Sequence, residues 1–136
     1  MNISRITAGV QVRNDFQACF DFYTKKLGLF PIYGDGTGPY ASFANCKDGE
    51  PFFAMYEAKH ASEKVEEYRI PGSAESSDTL TAVFHTTDFE RDYNQLLASG
   101  VAFIGKRNFA DEGFDFNLAY FRDPEGNLLS LEDGGV

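Results

Sequence analysis

Three side chains in this sequence, Gln11, His85 and Glu132, are of the types that could together hold a divalent metal ion. An amide oxygen, an imidazole and a carboxylate can all ligate such an ion, which then acts as a Lewis acid toward substrate oxygens. His85 and Glu132 each fall near the end of a predicted strand. Each also has a plainer interpretation, as a rim histidine held by a hydrogen bond and as a solvated carboxylate. A metal site is therefore one alternative among several.

Nucleophilic catalysis has little support in the sequence. Cys19 lies between Phe16 and Phe20 on a predicted helix with no histidine nearby, which is typical of a core thiol. Ser130 lacks the glycine-flanked sequence of a nucleophile elbow. Because Cys46 is the second of only two cysteines and there is no CxxC pair, a disulfide framework is not expected.

Composition excludes several classes of partner. The chain has 136 residues, enough for one domain with a sizeable core, and 43% of them are hydrophobic. Its 12 basic and 21 acidic residues give a net charge of −9, which argues against binding to nucleic acid or to an anionic membrane. The acidity is compatible with a cationic ligand, although it also promotes solubility. Residues 1–12 lack the apolar core of a signal peptide and no run reaches membrane-spanning length, so a cytoplasmic location is expected.

The first half of the chain predicts a strand, a helix and three further strands. Residues 6–12 alternate apolar and polar side chains, and a helix is expected from about Asp15 to Leu27, closed by Gly28. Asn14 is the predicted N-cap of this helix and opens a capping box. Glycine-rich and Asp-Gly turns separate the strands predicted at residues 29–33, 40–45 and 51–57.

The second half repeats this order after a charged, serine-rich connector at residues 58–78, in which one or two helical turns are predicted near residues 62–68. Thr87 is the predicted N-cap of the second helix and lies 73 residues after Asn14. Each half thus reads βαβββ, and the chain is an internal duplication with modules at residues 4–57 and 79–133. The strands of the second module are predicted at residues 79–86, 101–106, 115–121 and 127–132.

The last two strands are joined by Asp123-Pro124-Glu125-Gly126-Asn127, which suits a type I turn. This motif, the phrase Phe22-Tyr23-Thr24-Lys25-Lys26-Leu27-Gly28-Leu29 and the duplicated βαβββ order resemble the vicinal-oxygen-chelate superfamily. That superfamily includes glyoxalase I, extradiol dioxygenases, fosfomycin-resistance enzymes and bleomycin-resistance proteins. The resemblance implies one α+β domain over residues 1–136, in which two tandem modules form a cup-shaped curved sheet with the helices outside.

In the metal-dependent members of the superfamily, His, Gln or Glu side chains on the first and fourth strands of each module hold a divalent ion in the cup. The resemblance carries these positions onto Thr7, Thr81, Ser130 and either Ala54 or Tyr56. Hydroxyl groups, a methyl group and an aromatic ring are not normal ligands of first-row metals. The sequence therefore resembles a metal-free member, and no cofactor is expected.

The leading hypothesis is metal-independent binding of a small, partly aromatic or cationic molecule in the cup of a homodimer, as in the bleomycin-resistance branch. The alternative is a glyoxalase-like lyase or isomerase, or a dioxygenase, with a metal at the displaced ligands Gln11, His85 and Glu132. A regulatory subunit with a vestigial cup is the third hypothesis. The predicted ligand-binding residues are Thr7, Gln11, Tyr56, Thr81, His85, Ser130 and Glu132.

Overall fold

Two four-stranded sheets form the chain, as the repeated βαβββ order predicts. The structure, a computed structural model, describes residues 1–66 and 80–134. The first module contains β1 (Ala8–Val12), α1 (Phe16–Asp21), β2 (Phe30–Tyr33), β3 (Tyr40–Ala44) and β4 (Phe53–Glu57), and α2 (Ala58–Lys64) follows directly. The second contains β5 (Leu80–His85), α3 (Phe89–Ala98), β6 (Phe103–Asn108), a 3₁₀ turn (Ala110–Glu112), β7 (Asn117–Arg122) and β8 (Leu128–Glu132).

The two sheets have the same topology. Their strand orders are β1-β4-β3-β2 and β5-β8-β7-β6, with β1 parallel to β4, β5 parallel to β8, and the other pairs antiparallel. The first strands of the two modules, β1 and β5, contact each other without forming a ladder. The sheets are curved but do not close into a barrel. The α+β fold of tandem βαβββ modules is therefore confirmed.

The first helix differs from the prediction in its second half. The predicted helix from about Asp15 to Leu27 is α-helical only to Asp21 and continues as a π-helical segment, Phe22–Lys26. The Leu27 N–H donates to the carbonyl oxygen of Phe22 at 3.1 Å, five residues earlier. The wider turn allows two consecutive aromatic side chains, Phe22 and Tyr23, to be buried together. Gly28 then ends the helix at φ 75°, as predicted.

Both helix caps lie one residue after the predicted positions. Asp15 Oδ1 accepts from the Ala18 N–H at 2.9 Å, and Asp88 Oδ1 accepts from the Arg91 N–H at 3.2 Å. The predicted N-caps Asn14 and Thr87 were therefore wrong, although the true caps keep the same spacing. In the first module the reason is that the Asn14 side chain is bound to Glu125, with its Nδ2 donating to the carboxylate at 3.4 Å.

The connector between the modules begins with a helix. Helical turns were expected near residues 62–68, whereas α2 starts at Ala58, directly after β4. Its first residue is buried, so the helix is anchored to the end of the sheet. The remainder of the predicted turns lies outside the described residues.

One hydrophobic core serves both modules. It lies on the helix side of each sheet, where Phe53 of β4 meets Phe84 of β5 with ring centroids 5.5 Å apart. Phe22 of the π-helical segment reaches Phe121 of β7 at 6.3 Å. The first helix therefore packs against both sheets, and the opposite face of each sheet is left for other contacts.

The closing turn at residues 123–127 joins the two modules through Asp123, which is buried. Its Oδ2 accepts from the Tyr23 hydroxyl at 2.6 Å and from Asn127 Nδ2 at 2.9 Å, and its Oδ1 accepts from the Glu125 and Asn127 N–H groups. The Asp123 N–H donates to the Asn127 carbonyl oxygen at 3.1 Å, which closes the predicted hairpin. This carboxylate thus fixes both the turn and the helix of the other module.

Glu125 makes a second connection from the same turn. Its carboxylate accepts from three consecutive backbone N–H groups, those of Arg13, Asn14 and Asp15, at 2.6 to 3.2 Å. The side chain is only 2% exposed, so this carboxylate replaces water as the partner of the amides before α1. The motif that resembles the superfamily is therefore a structural clamp between modules.

Candidate functional site

The predicted site residues lie on the face of each sheet that is opposite the core. Alternation along β1 and β8 places Val10, Val12, Leu129 and Leu131 in the core and their neighbours on the other side. We call this second side the open face. Its members include Gly9, Gln11, Tyr40, Ser42, Ala54 and Tyr56 in the first module, and Val83, His85, Tyr120, Ser130 and Glu132 in the second.

Gln11 and Tyr56 are neighbours on the open face of the first sheet. They are register partners in the parallel β1–β4 ladder, where strands lie about 4.8 Å apart. The Tyr56 ring also lies over Gly9, since a Cβ built on Gly9 would be 3.6 Å from Tyr56 Cε1. A Cβ at residue 9 would make an ordinary van der Waals contact with that ring. A half-buried phenol beside an amide is a surface suited to a flat polar ligand.

His85 and Glu132 form the corresponding pair in the second sheet, as register partners of β5 and β8. His85 is exposed and Glu132 is partly buried. Ser130 lies two residues before Glu132 on the same face, between its register partners Val83 and Tyr120. The ladder thus places a hydroxyl, an imidazole and a carboxylate on one open face.

The hydroxyl of Ser130 is the unusual group on this surface. The residue is 0% exposed, and its Oγ has no hydrogen-bond partner among the residues that the structure describes. A buried polar atom without a partner costs about 1–3 kcal/mol. Because this oxygen has no accessible surface, a molecule resting on the face does not reach it, and the unpartnered hydroxyl is a local cost to stability.

Thr7 and Thr81 belong to neither of the register pairs, Gln11 with Tyr56 and His85 with Glu132. Thr7 precedes β1 and is half-buried. Thr81 lies in β5 where the register shifts between Leu80 and Ala82, so no ladder partner is assigned to it. The structure therefore brings Gln11 to Tyr56, and it brings His85 to Glu132, but it leaves both threonines outside these pairs.

The donor set does not fit a resident metal ion. The four positions implied by the resemblance carry hydroxyl, methyl or phenol groups, and within residues 1–66 and 80–134 no three His, Cys, Asp or Glu side chains form a group that could hold an ion. His85 and Glu132 could provide two ligands. Gln11 lies in the other sheet and would have to supply a weak amide oxygen as the third.

The aromatic residues sort between the two faces by type. Tyr40, Tyr56 and Tyr120 lie on the open face, whereas Phe43, Phe53 and Phe121 are fully buried on the core side. The phenol hydroxyl is the signal in the sequence that could have separated the two groups, since a buried tyrosine needs a hydrogen-bond partner. Tyr23 is the exception, and Asp123 supplies that partner.

Cys19 is a buried free thiol, as predicted. Burial, followed by the negative charge of Asp123, raises the pKa of the Cys19 thiol far above its ordinary value. The thiolate is the nucleophilic form of cysteine, so this side chain stays protonated and unreactive. Asp123 also receives the thiol as a weak donor, with Sγ 3.8 Å from Oδ2.

Comparisons with known proteins agree on one architecture. Residues 3–131 match the family described as the Glyoxalase/Bleomycin resistance protein/Dioxygenase superfamily. An uncharacterized protein of Bacillus subtilis (strain 168), YraH, is 28% identical over 87% of this chain and 89% of its own. A lactoylglutathione lyase from Agrobacterium tumefaciens superposes with a TM-score of 0.67 at 18% identity, over 98% of this chain and 96% of that one. TnmS3, an antibiotic binding protein from a Streptomyces species, superposes with a TM-score of 0.64 at 21% identity, over 98% of both chains.

No helix within the described part of the chain is long and apolar enough to cross a membrane.

Proposed function

Because the chain belongs to the Glyoxalase/Bleomycin resistance protein/Dioxygenase superfamily, we propose that it binds a small, partly aromatic or cationic molecule on its open face without a metal ion. The observation that carries this proposal is the pair of phenol rings on neighbouring strands of that face, Tyr40 and Tyr56, of which Tyr40 is 42% exposed. The structural likeness to an antibiotic binding protein supports it. A homodimer is part of the proposal, since a partner would enclose faces that one protomer leaves open.

The chemistry of the open face matches such a ligand. Tyr40 and Tyr56 are register partners, so two phenol rings lie on neighbouring strands. Aromatic rings attract flat aromatic molecules and cations through their electron-rich faces. Gln11 and Glu132 add hydrogen-bonding groups, and the net charge of −9 favours a cation. Binding here needs no bond to be broken, so sequestration is the function that we propose.

Two substitutions on the open face are informative: Ser130→Ala tests the buried hydroxyl, and Tyr56→Ala tests the aromatic surface. Without ligand, we expect Ser130→Ala to raise the free energy of unfolding by about 1 kcal/mol, because it removes a buried polar atom without a partner. A thermal-shift screen of fused-ring amines, such as 9-aminoacridine, then compares ligand stabilisation in Tyr56→Ala with that in the wild type. Loss of one stacking contact should weaken binding about tenfold.

Phe114→Ala is the matched control, because Phe114 is an exposed aromatic residue on a loop. It should leave the ligand-induced shift unchanged. The proposal fails if no compound in a broad aromatic and cationic panel stabilises the wild type. A loss of more than about 1 kcal/mol in Ser130→Ala would show that the buried hydroxyl has a hydrogen-bond partner.

The pairing of His85 with Glu132 favours a second candidate, a glyoxalase-like lyase or isomerase or a dioxygenase with a divalent metal at these residues and Gln11. Protein purified without chelators and analysed by plasma mass spectrometry separates the two candidates. We expect less than about 0.1 equivalent of Zn, Ni, Fe or Mn, because the donor set is too weak. One equivalent that disappears in His85→Ala but persists in His60→Ala would establish the second candidate.

A further inference from the structure

A cleft of about 260 Å³ is lined by residues of both modules. Leu27, Leu29, Asn45 and Phe52 line it from the first module. The second module contributes the end of β5 and one side of α3. Its volume is just below the range of about 300–1,000 Å³ that is typical of ligand pockets, so it suits a molecule with a single ring.

Asp92 is the one acidic side chain among the described residues that line this cleft, and neither lysine nor arginine is among them. The Asp88 N–H donates to Thr86 Oγ1 at 2.9 Å, and the Thr86 hydroxyl donates to Asp92 Oδ2 at 2.5 Å. Both Thr86 and Asp92 line the cleft. This chain of hydrogen bonds fixes one carboxylate oxygen at the cleft wall.

Asp92 keeps room for a further donor. Its carboxylate accepts from the Thr86 hydroxyl and from two nitrogens of Arg91, at 3.0 and 3.4 Å. A carboxylate offers about four acceptor positions, so one is left. Hydrogen bonding by Arg91, together with that of Thr86, lowers the pKa of Asp92, so the group is ionised at neutral pH. Arg91 is 58% exposed, so water screens its pairing with Asp92.

The rest of the cleft is mostly apolar. Phe84, Leu96, Phe121 and Leu131 line it from the second module. The polar lining residues besides Asp92 are Asn45, His85, Thr86 and Gln95. An anion in the cleft would be repelled by the Asp92 carboxylate, whose basic partner Arg91 is 58% exposed and does not line the cleft. A neutral apolar molecule would remove water from that carboxylate without replacing its hydrogen bond. A cation with an apolar body satisfies both requirements.

We propose that the intermodule cleft binds a small primary ammonium compound carrying one apolar ring, with the ammonium group on Asp92 and the ring against Phe84 and Leu96. Val83 and His85 border both this cleft and the open face. The Asp92 carboxylate, Phe84 and Leu96 do not belong to the open face. The cleft is therefore a second site, and its occupancy does not depend on the proposed function.

The test is an NMR titration of the full chain with benzylammonium at pH 7, with benzyl alcohol and benzoate as probes of the same size. We expect benzylammonium to bind at least tenfold more tightly than benzyl alcohol, with amide shifts at residues 84–86 and 92–96. Asp92→Asn should lower the affinity for benzylammonium at least tenfold. It should change the affinity for benzyl alcohol by less than twofold. Glu90→Gln is the matched control, because Glu90 is an acid in the same helical turn that does not line the cleft.

Gln95→Trp gives an independent variant that keeps the carboxylate but fills an exposed part of the cleft wall. It should abolish binding of both benzylammonium and benzyl alcohol. Three results would each overturn the proposal: benzoate binding as tightly as benzylammonium, an unchanged affinity in Asp92→Asn, or amide shifts confined to the open face around Tyr56 and Ser130. If Asp92→Asn does not fold, undiminished binding in Gln95→Trp also rejects the site.

Discussion

Replacing Asp123 with alanine is expected to lower the free energy of unfolding by about 3–5 kcal/mol, measured by urea denaturation. The substitution removes the acceptor of the buried Tyr23 hydroxyl at 2.6 Å and of the turn donors at Glu125 and Asn127. Hydrogen bonds to a charged group contribute about 1.5–3 kcal/mol each, and the donors left behind remain buried. Since domains of this size are stable by only about 5–15 kcal/mol, this loss removes much of the total.

Tyr23→Phe separates the bond between the modules from the bonds within the turn. This variant keeps the ring, which packs against Phe53 at 4.7 Å, and removes only the hydroxyl. We expect Tyr23→Phe to lower the free energy of unfolding by about 1–2 kcal/mol. The double variant, Tyr23→Phe with Asp123→Ala, should lose at least about 1 kcal/mol less unfolding free energy than the two single variants lose together. The reason is that the two groups share one hydrogen bond. Additivity within 0.5 kcal/mol would mean that Asp123 acts within the turn alone.

Hydrophobic periodicity was sufficient to predict the strands and the duplication, because both depend on local order along the chain. The superfamily was expected from the resemblance of two sequence phrases and of the duplicated order. The predicted strand at residues 51–57 contains β4, Phe53–Glu57, and the predicted strand at residues 127–132 contains β8, Leu128–Glu132. The alternation within each strand also assigned Ser130 and Glu132 to one face. A period of two residues fixes which side chains share a face.

The same alternation could not show what each face contacts. In the first module the helix cap was displaced because Glu125, more than 100 residues away, binds the Asn14 side chain. The intermodule cleft was missed for a similar reason, since it joins Leu29 and Phe52 of one module to Asp92 of the other. Contacts between distant segments depend on how the modules pack, and no short pattern in either segment reports that packing.

The closing motif illustrates the difference between a marker of a fold and a marker of a function. Asp123 and Glu125 are carboxylates, and the sequence analysis placed both in a turn. Both carboxylates accept hydrogen bonds that join the two modules. Ser130, on the strand that follows, keeps a polar atom without such a partner among the described residues. The residues available for ligand binding are therefore those that the clamp does not use.

Glu125→Ala is expected to lower the free energy of unfolding by about 2–4 kcal/mol, because it leaves the amides of Arg13, Asn14 and Asp15 without their acceptor. Glu125→Gln should lower the free energy of unfolding by less than Glu125→Ala, since the amide oxygen of Gln can still accept a hydrogen bond. It should still destabilise the protein, because the NH₂ group would face an N–H donor. Amide hydrogen exchange should show the loss of protection first at residues 13–15.

Glu50→Ala provides the control for removing a carboxylate elsewhere in the chain. Glu50 pairs with Arg5 at 3.3 Å, and its side chain is 78% exposed, so the change should cost at most about 0.5 kcal/mol. If Glu125→Ala were equally mild, the clamp would contribute little to the fold. A large loss with protection lowered at residues 13–15 would show that the Asp123–Asn127 turn of the second module holds the start of the helix in the first.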